Sequence, residues 1–324
     1  MRSGAGAAPP GWNQGDGGLT ARFAAALAVG WLCASLAGTT WAAERLPGKS
    51  GLSTSFSDMT AASRESCRRA LADLPLERMS PEHRQLAEHF AHKATLHRRL
   101  PIETIHCEPE FLEFVLTKPE TLVDVWRVLG ISRVALDPVA ADTWRLSDGY
   151  GTTGTVRLLH HDHGPGGGLL VFHGRGGYDG PLAPKPLTGS CLLVVRHAPA
   201  ADADQPAQRV EVEAFLDVDG LGLEIVTRTL QPLIVRSAAA NVHEICLFMS
   251  QFTRAAERNP AGVGRLAERM SRTPPTDRRA LVALASGVSG TPPVRATAET
   301  SPERVREELA ARWLPAEALD AARR

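Results

Sequence analysis

The chain has 324 residues, more than one average domain, and a typical length of about 150 residues per domain predicts one or two domains. Its formal net charge is zero, so it offers no basic excess for binding the phosphates of a nucleic acid. Hydrophobic residues make up 43% of the sequence, enough for a sizeable core, whereas aromatic residues make up only 5%, which argues against binding nucleic acid or carbohydrate on aromatic platforms.

The N-terminal residues have the pattern of an export signal. An apolar run over residues 23–37 follows Arg22 and precedes the small residues Thr40 and Ala42. The run is short for a membrane span, and the small residues fit a signal-peptidase site. The sequence therefore predicts a signal peptide over residues 1–42 and a periplasmic or extracellular protein with no stable transmembrane segment after cleavage. An uncleaved membrane anchor is the alternative.

The remaining cysteines bear on this location. Once Cys33 leaves with the signal peptide, four cysteines remain, and these allow two disulfides in three pairings. Cys67 and Cys107 both belong to the N-terminal part, so a bridge between these two is the pairing that the sequence favours. Cys191 and Cys246 occupy apolar stretches, where cysteine commonly serves as a small core residue. No paired spacing suggests a zinc site.

An N-terminal helical segment is predicted over residues 43–108. The sequence Ser-Pro-Glu at residues 80–82 is a favourable helix start, because serine caps the first turn, proline suits it and the acid lies near the positive end of the helix dipole. This helix is predicted to continue to about Leu100, where Pro101 ends it.

A strand and a helix are predicted next. Residues 111–118 (FLEFVLTK) form a short apolar run that predicts a strand. Pro119 then opens a predicted helix that Gly130 terminates. The apolar side of this helix holds Leu122, Val125, Trp126 and Leu129.

Six strand candidates follow between residues 131 and 219, and sequences typical of turns separate them. The last of them alternates apolar and polar residues over positions 210–217, which predicts a strand with one buried face. Short connections without helices force neighbouring strands to be antiparallel. The candidates are ISRVALD, TWRLSD, TVRLLHH, GLLVFHG, CLLVVRH and RVEVEAFLDVD.

A long amphipathic helix is predicted over residues 238–258. Ser237 or Asn241 is a suitable cap for its start, and the Asn-Pro pair at residues 259–260 ends it. Residues 261–324 are predicted to form a linker and a C-terminal helix with Val305, Leu309 and Trp313 on its apolar side. The apolar residues of the long helix recur in steps of three and four: Val242, Ile245, Met249, Phe252 and Ala256.

Residues 109–260 therefore predict an α+β domain in which an antiparallel sheet wraps around a long C-terminal helix, with extra helices before and after it. This order of elements resembles the helix-grip fold of the START and polyketide-cyclase-like superfamily. Pro119-Glu120 followed by VWRVL at residues 125–129 is similar to the first helix of that group. The resemblance implies an apolar cavity between sheet and helix. It also implies a second small helix before the strands, which the sequence does not identify.

A second resemblance concerns residues 230–260 (LQPLIVRSAAANVHEICLFMSQFTRAAERNP). This stretch resembles exported proteins of unknown function from planctomycete-type bacteria. The resemblance implies no activity.

A glycine-rich sequence suggests one enzymatic alternative. The run His-Gly-Arg-Gly-Gly at residues 173–177 resembles the oxyanion loop of esterase-type α/β-hydrolases, in which glycine amides face a developing oxyanion. That chemistry also needs a Gly-x-Ser-x-Gly nucleophile farther along the chain, and the sequence has none. A glycine-rich hairpin end is therefore the favoured interpretation, and a hydrolase that uses the His173-Gly174 loop is the weaker one.

The sequence His-His-Asp-His at residues 160–163 is a candidate metal site. Alternate residues of a strand share a face, so His161 and His163 would converge on a metal ion, with His173 opposite them across the hairpin. Imidazole suits zinc, copper or nickel. Because the cluster adjoins a Gly-Pro-Gly turn, a solvated turn is the favoured interpretation. No metal or other cofactor is predicted, and these histidines are weak candidates.

The sequence as a whole predicts a non-enzymatic protein that binds an apolar small molecule or lipid between sheet and helix, with no catalytic residues and no nucleic-acid partner. The alternative is an envelope-associated interaction protein without a ligand. The predicted cavity-lining residues are Trp126, Val242, Ile245, Met249 and Phe252.

Overall fold

The chain folds into three layers, with helices on both faces of one antiparallel sheet. The predicted signal peptide, which includes Cys33, lies outside the described residues. The structure is a computed structural model and describes residues 65–180, 186–201, 205–287 and 301–320.

The sheet has eight strands, and every neighbouring pair is antiparallel. Strands three to eight follow each other in chain order, and the first two both pair with the last strand. The strands are β1 (Leu96–Arg99), β2 (Glu103–Ile105), β3 (Ala135–Ala140), β4 (Thr143–Ser147), β5 (Thr152–Gly164), β6 (Gly167–Tyr178), β7 (Leu187–Pro199) and β8 (Gln208–Val218). The six predicted strands are β3 to β8, so the prediction of an antiparallel sheet is confirmed.

The helix predicted to reach Leu100 ends earlier. It is α2 (Pro81–Lys93), and the chain continues as β1, which pairs with β8 at the edge of the sheet. Backbone bonds to β8 outweigh helix formation here: the amide of Thr95 donates to the carbonyl of Leu216 at 2.7 Å, and the amide of Leu100 donates to that of Val212 at 2.8 Å.

The prediction of a strand at residues 111–118 is wrong. All of these residues except Lys118 lie in α3 (Pro109–Thr117), whose buried side chains Phe111, Leu112 and Val115 have helical spacing. In a short run of apolar residues, the spacing of the apolar side chains does not distinguish a buried strand from a buried helix. The helix predicted from Pro119 is α4 (Pro119–Leu129), and it ends at Gly130 in the left-handed conformation, with φ of 78°. Two helices, α3 and α4, therefore precede the strands β3 to β8, so a small helix in addition to the one that begins at Pro119 is present before these strands.

The predicted long helix is α6 (Gln231–Arg258), which follows the shorter α5 (Leu221–Thr229). Its start differs from the prediction: neither Ser237 nor Asn241 caps it, because the helix has already begun two turns earlier, with Pro232 in its first turn. Its end before Asn259 is as predicted. The buried side of α6 packs against one face of the sheet, so the α+β, helix-grip-like arrangement is confirmed.

The other face of the sheet is covered by α2 and by the helical residues 65–72, which we call α1. Cys67 and Phe90 pack there against Phe215 of β8, which is fully buried. Cys107 belongs to the core on the α6 side. The sheet therefore separates Cys67 from Cys107, each carries a free thiol, and the expectation of a bridge between them is wrong.

Four C-terminal helices complete the α6 side of the core. Trp313 packs on Phe248 of α6 with ring centroids 5.4 Å apart, so the C-terminal helical part is docked on the core. Within the described residues, no helix has both the length and the apolar character needed to cross a membrane. The four helices are α7 (Pro260–Glu268), α8 (Pro275–Ala285), α9 (Pro302–Ala310) and α10 (Ala316–Asp320).

Candidate functional site

An apolar pocket lies where the N-terminal half of α6 faces the edge of the sheet. Its volume is about 20 Å³, room for about one water molecule, whereas pockets for drug-sized ligands measure about 300–1,000 Å³. The pocket is therefore nearly closed in this conformation. Its lining residues are Leu96, Arg98 and Leu100 near the edge strand, Ala214 and Leu216 on β8, and Ile234, Val235 and Ala238 on α6.

The pocket lining includes one charged side chain, and exposed apolar side chains lie on α5 and on the first turn of α6, the helix that lines the pocket. Arg98 is the charged lining residue. Its Nε lies 3.2 Å from a side-chain amide atom of Gln231, which accepts a hydrogen bond from Arg98 when the amide oxygen occupies that position. Leu221 and Ile225 of α5 and Leu233 of α6 are exposed at 79%, 58% and 48%. Exposed apolar residues grouped on neighbouring elements are typical of a site that contacts an apolar molecule.

The predicted cavity-lining residues lie on the same side of the sheet but do not line this pocket. Val242 and Met249 are buried and Ile245 is partly buried. Trp126 packs edge-on against Phe248 at 6.0 Å, and Phe252 stacks on Phe111 at 6.1 Å. These rings fill the space between α6 and the helices α3 and α4. The role of the five residues in ligand binding stays a prediction.

A β-bulge in β5 decides which face carries the predicted histidines. The register between β5 and β6 shifts between Leu158 and His160. One extra residue reverses the alternation of side chains, so beyond the bulge His161 and His163 lie on the face that α3 and α6 cover. His163 pairs with Gly168 of β6.

His197 of β7 lies beside these histidines, although no sequence pattern selects it as a site residue. It pairs with Gly168 on the other side of β6, and its ring stacks on that of His163 with centroids 6.2 Å apart. Gly168 makes this approach possible, because a Cβ at that position would overlap the imidazole of His197. The side chain of His197 is 1% exposed, and burial lowers its pKa more than nearby Glu113 raises it.

Glu113 of α3 faces all three imidazoles. Its Oε2 lies 3.1 Å from Nδ1 of His163 and 3.2 Å from Nε2 of His197, and its Oε1 contacts Nε2 of His161. We call Glu113, His161, His163 and His197 the histidine cluster. Imidazole and carboxylate are ligands of zinc and of other divalent transition metals, so this cluster could hold such an ion.

His173 does not belong to the histidine cluster. Its ring contacts Phe90 of α2, on the opposite face of the sheet, with centroids 6.1 Å apart. Burial, together with the smaller effects of the charges of Arg157 and Arg175, lowers its pKa to about 4. Residues 174–177 lie within β6, paired with β5 on one side and β7 on the other. They form part of the ladder and neither a hairpin end nor an open loop.

Another group of polar side chains connects β1 to β7 and β8 on the face of the sheet that α1 covers. Nε2 of His97 lies 2.8 Å from Oε1 of Glu213, and Nδ1 lies 2.9 Å from Oγ of Ser66. Arg196 reaches Oε2 of Glu213 at 3.2 Å. The alternation in β8 predicts that Glu213 lies on the exposed face, but α1 and β1 cover it, and only 3% of its surface is exposed.

Comparisons with family models and with curated protein sequences gave no match. The solved structures that are similar to this chain include the following three. The protein XoxI from Bacillus cereus is 15% identical and covers 47% of this chain and 95% of its own, with a TM-score of 0.26. Mll3558 from Rhizobium loti is 20% identical and covers 45% of this chain and 97% of its own, with a TM-score of 0.26. Ara h 8.0201 is 11% identical and covers 45% of this chain and 97% of its own, with a TM-score of 0.19. At these TM-scores the likenesses carry no argument about function.

Proposed function

We propose that this chain is a non-enzymatic binding protein for a small apolar molecule or lipid, which enters between β1, β8 and the N-terminal half of α6. The apolar pocket at that position carries the proposal, because its lining is hydrocarbon apart from Arg98. Ligand pockets are mostly apolar with a few polar groups that fix orientation. The resemblance to the START superfamily points to the same side of the sheet.

Binding requires the pocket to open. About 20 Å³ does not hold a lipid chain, so α5 and the first turns of α6 must move away from β1 and β8. The exposed side chains Leu221, Ile225 and Leu233 lie on the elements that would move. In the open state these apolar groups would face the ligand instead of water, and their burial would offset part of the opening cost.

Arg98 favours a ligand with an acidic head group. The guanidinium of Arg98 lies at the pocket beside the side-chain amide of Gln231. A ligand carboxylate could replace this amide and accept hydrogen bonds from the guanidinium. We therefore propose a fatty-acid-like molecule, with its chain between α6 and β8 and its head at Arg98.

Native mass spectrometry of the purified chain and titration with the fluorescent fatty acid cis-parinaric acid test this function. We expect a co-purified mass of lipid size and saturable fluorescence that oleic acid displaces. Ala238→Leu fills the pocket and should weaken binding at least tenfold, whereas Ala240→Leu, exposed on the same helix, should bind like the unmodified chain.

The opposite result would favour the ligand-free alternative. If the chain carries no lipid-sized mass and cis-parinaric acid does not bind saturably, the closed pocket is simply part of the core. Equal binding by Ala238→Leu and Ala240→Leu would place the ligand elsewhere. Circular dichroism of both variants shows whether either has lost its fold.

We also propose that the chain is exported by the predicted signal peptide at residues 1–42. Expression in a Gram-negative host followed by N-terminal sequencing of the periplasmic protein tests this. A mature N-terminus near residue 43 would support export with cleavage, and an intact N-terminus in the membrane fraction would support the uncleaved anchor.

A further inference from the structure

We propose that Glu113, His163 and His197 form a binding site for a divalent transition metal ion such as Zn²⁺, with His161 as the residue that positions Glu113. This site goes beyond the binding of an apolar molecule and does not depend on it. Three observations support this site: the distances between the ligand atoms, the backbone features that bring the side chains together and the exposure of His163 to solvent.

The distances fit a metal ion. The ligand atoms of Glu113, His163 and His197 all lie within 4.8 Å of one another. An ion bound at about 2.0–2.2 Å in tetrahedral geometry holds its ligand atoms roughly 3.3–3.6 Å apart. Oε2 of Glu113 is 3.1 Å from Nδ1 of His163 and 3.2 Å from Nε2 of His197. These two distances between ligand atoms would have to increase by only a few tenths of an ångström when an ion binds.

The site is built from rigid elements that are distant in sequence. Glu113 comes from α3, His163 from β5 and His197 from β7. The bulge in β5 turns His163 toward α3, and Gly168 leaves the space that the ring of His197 occupies. Side chains held by such elements keep their ligand atoms in place, which lowers the cost of gathering them around an ion.

Glu113, His163 and His197 would leave one coordination position of a tetrahedral ion open. His197 is almost fully buried, whereas 42% of the side chain of His163 is exposed, so the site opens to solvent on the side of β5. Three protein ligands with an open position are typical of zinc sites that bind a water molecule or an exchangeable ligand. His161 contacts the other carboxylate oxygen of Glu113 and would hold this ligand in its orientation.

The experiment is a Zn²⁺ titration of the full chain, purified without a histidine tag, by isothermal calorimetry. Co²⁺ serves as a second probe, because its visible absorption reports tetrahedral coordination by nitrogen and oxygen. We expect one ion per folded chain. Glu113→Gln and His197→Asn should lower the affinity at least a hundredfold, and His161→Gln should lower it about tenfold to a hundredfold.

The matched control is His89→Ala, which removes an exposed histidine that lies 2.9 Å from Asp217 on the opposite face of the sheet. This variant should bind Zn²⁺ like the unmodified chain. Circular dichroism of every variant confirms the fold, and an upward shift in melting temperature with Zn²⁺ should occur only where the site is intact.

Two outcomes would overturn the proposal. One is that the folded, unmodified chain binds Zn²⁺ no more tightly than the folded Glu113→Gln variant. The other is that His89→Ala reduces the affinity as much as His197→Asn does, which would mean that surface histidines bind the ion without a defined site.

Discussion

Nε2 of His97 lies 2.8 Å from Oε1 of Glu213, so a buried polar contact joins the edge strand β1 to β8. Burial alone would raise the pKa of Glu213. Hydrogen bonds from His97 and Arg196 and the charge of Arg99 act in the other direction, and the pKa is lower than that of an ordinary glutamate. The folded state thus favours the ionised carboxylate.

Glu213→Gln should destabilise the protein by about 2 kcal/mol at pH 7, because the hydrogen bonds of a buried charged acceptor are lost. The pKa of Glu213 is lowered on folding, so its stabilising contribution is present above the unfolded value of about 4.3 and is lost as the pH falls through the folded value. Urea denaturation at pH 7 and at pH 3 should therefore show a smaller difference between variant and unmodified chain at the lower pH.

The control for this prediction is Glu211→Gln on the same strand, which removes a half-buried carboxylate paired with Arg209. It should change the unfolding free energy by less than about 1 kcal/mol. A cost for Glu213→Gln that stays constant between pH 7 and pH 3 would contradict the account given for the Glu213 carboxylate.

His173 should make the protein sensitive to mild acid. Burial against α2 lowers its pKa to about 4, while an unfolded histidine titrates near 6.5. Between these values the unfolded state binds the extra proton, so stability falls as the pH drops from about 6.5 to 4. Because the side chain is half-buried, we expect a loss of about 2 kcal/mol from this residue.

His173→Gln should remove that part of the acid sensitivity, which urea denaturation at several pH values between 7 and 4 would measure. The exposed His92→Gln variant controls for the loss of an imidazole and should follow the unmodified chain. If His173→Gln also loses stability as steeply as the unmodified chain, another group causes the acid sensitivity.

Asp124 of α4 should be important for attaching the C-terminal helices. Its Oδ2 accepts hydrogen bonds from the amides of Arg272 and Thr273 at 2.9 and 3.0 Å, and the residue is 2% exposed. Asp124→Ala removes the acceptor of both amides, of which that of Thr273 is buried, and should destabilise the protein by about 3 kcal/mol in urea denaturation. Asp137→Ala removes only an exposed partner of the Arg272 side chain and should cost at most about 1 kcal/mol. If the two variants lost the same unfolding free energy, the amides of Arg272 and Thr273 would have found other acceptors.

The strands β3 to β8 and the end of α6 were predictable because local patterns encode them. Alternation and turn residues define a strand within a few positions, and an Asn-Pro pair ends a helix wherever it packs. The edge strand β1 and the helix α3 were not predictable in this way. β1 exists because β8 offers it backbone partners, and the apolar run in α3 fits a strand as well as a helix.

The histidine cluster shows the same limit. The sequence suggests His161, His163 and His173 as one group, but one extra residue in β5 turns His161 and His163 to the face of the sheet opposite His173. Glu113 and His197 complete the cluster through contacts between residues that are 84 positions apart in the chain. Such pairings depend on register and on a bulge, and neither can be read from residue types alone.

The buried cysteines should be unreactive in the folded protein. Burial raises the pKa of Cys107 and of Cys246 to about 12 and that of Cys67 to about 11, and the thiolate is the reactive form. At pH 8 we expect iodoacetamide to label these three residues at least about a hundredfold more slowly than in the unfolded chain, with peptide mass spectrometry measuring each residue separately. In guanidinium chloride all three should be labelled without a reductant, because each carries a free thiol. Labelling there only after reduction would instead reveal a disulfide.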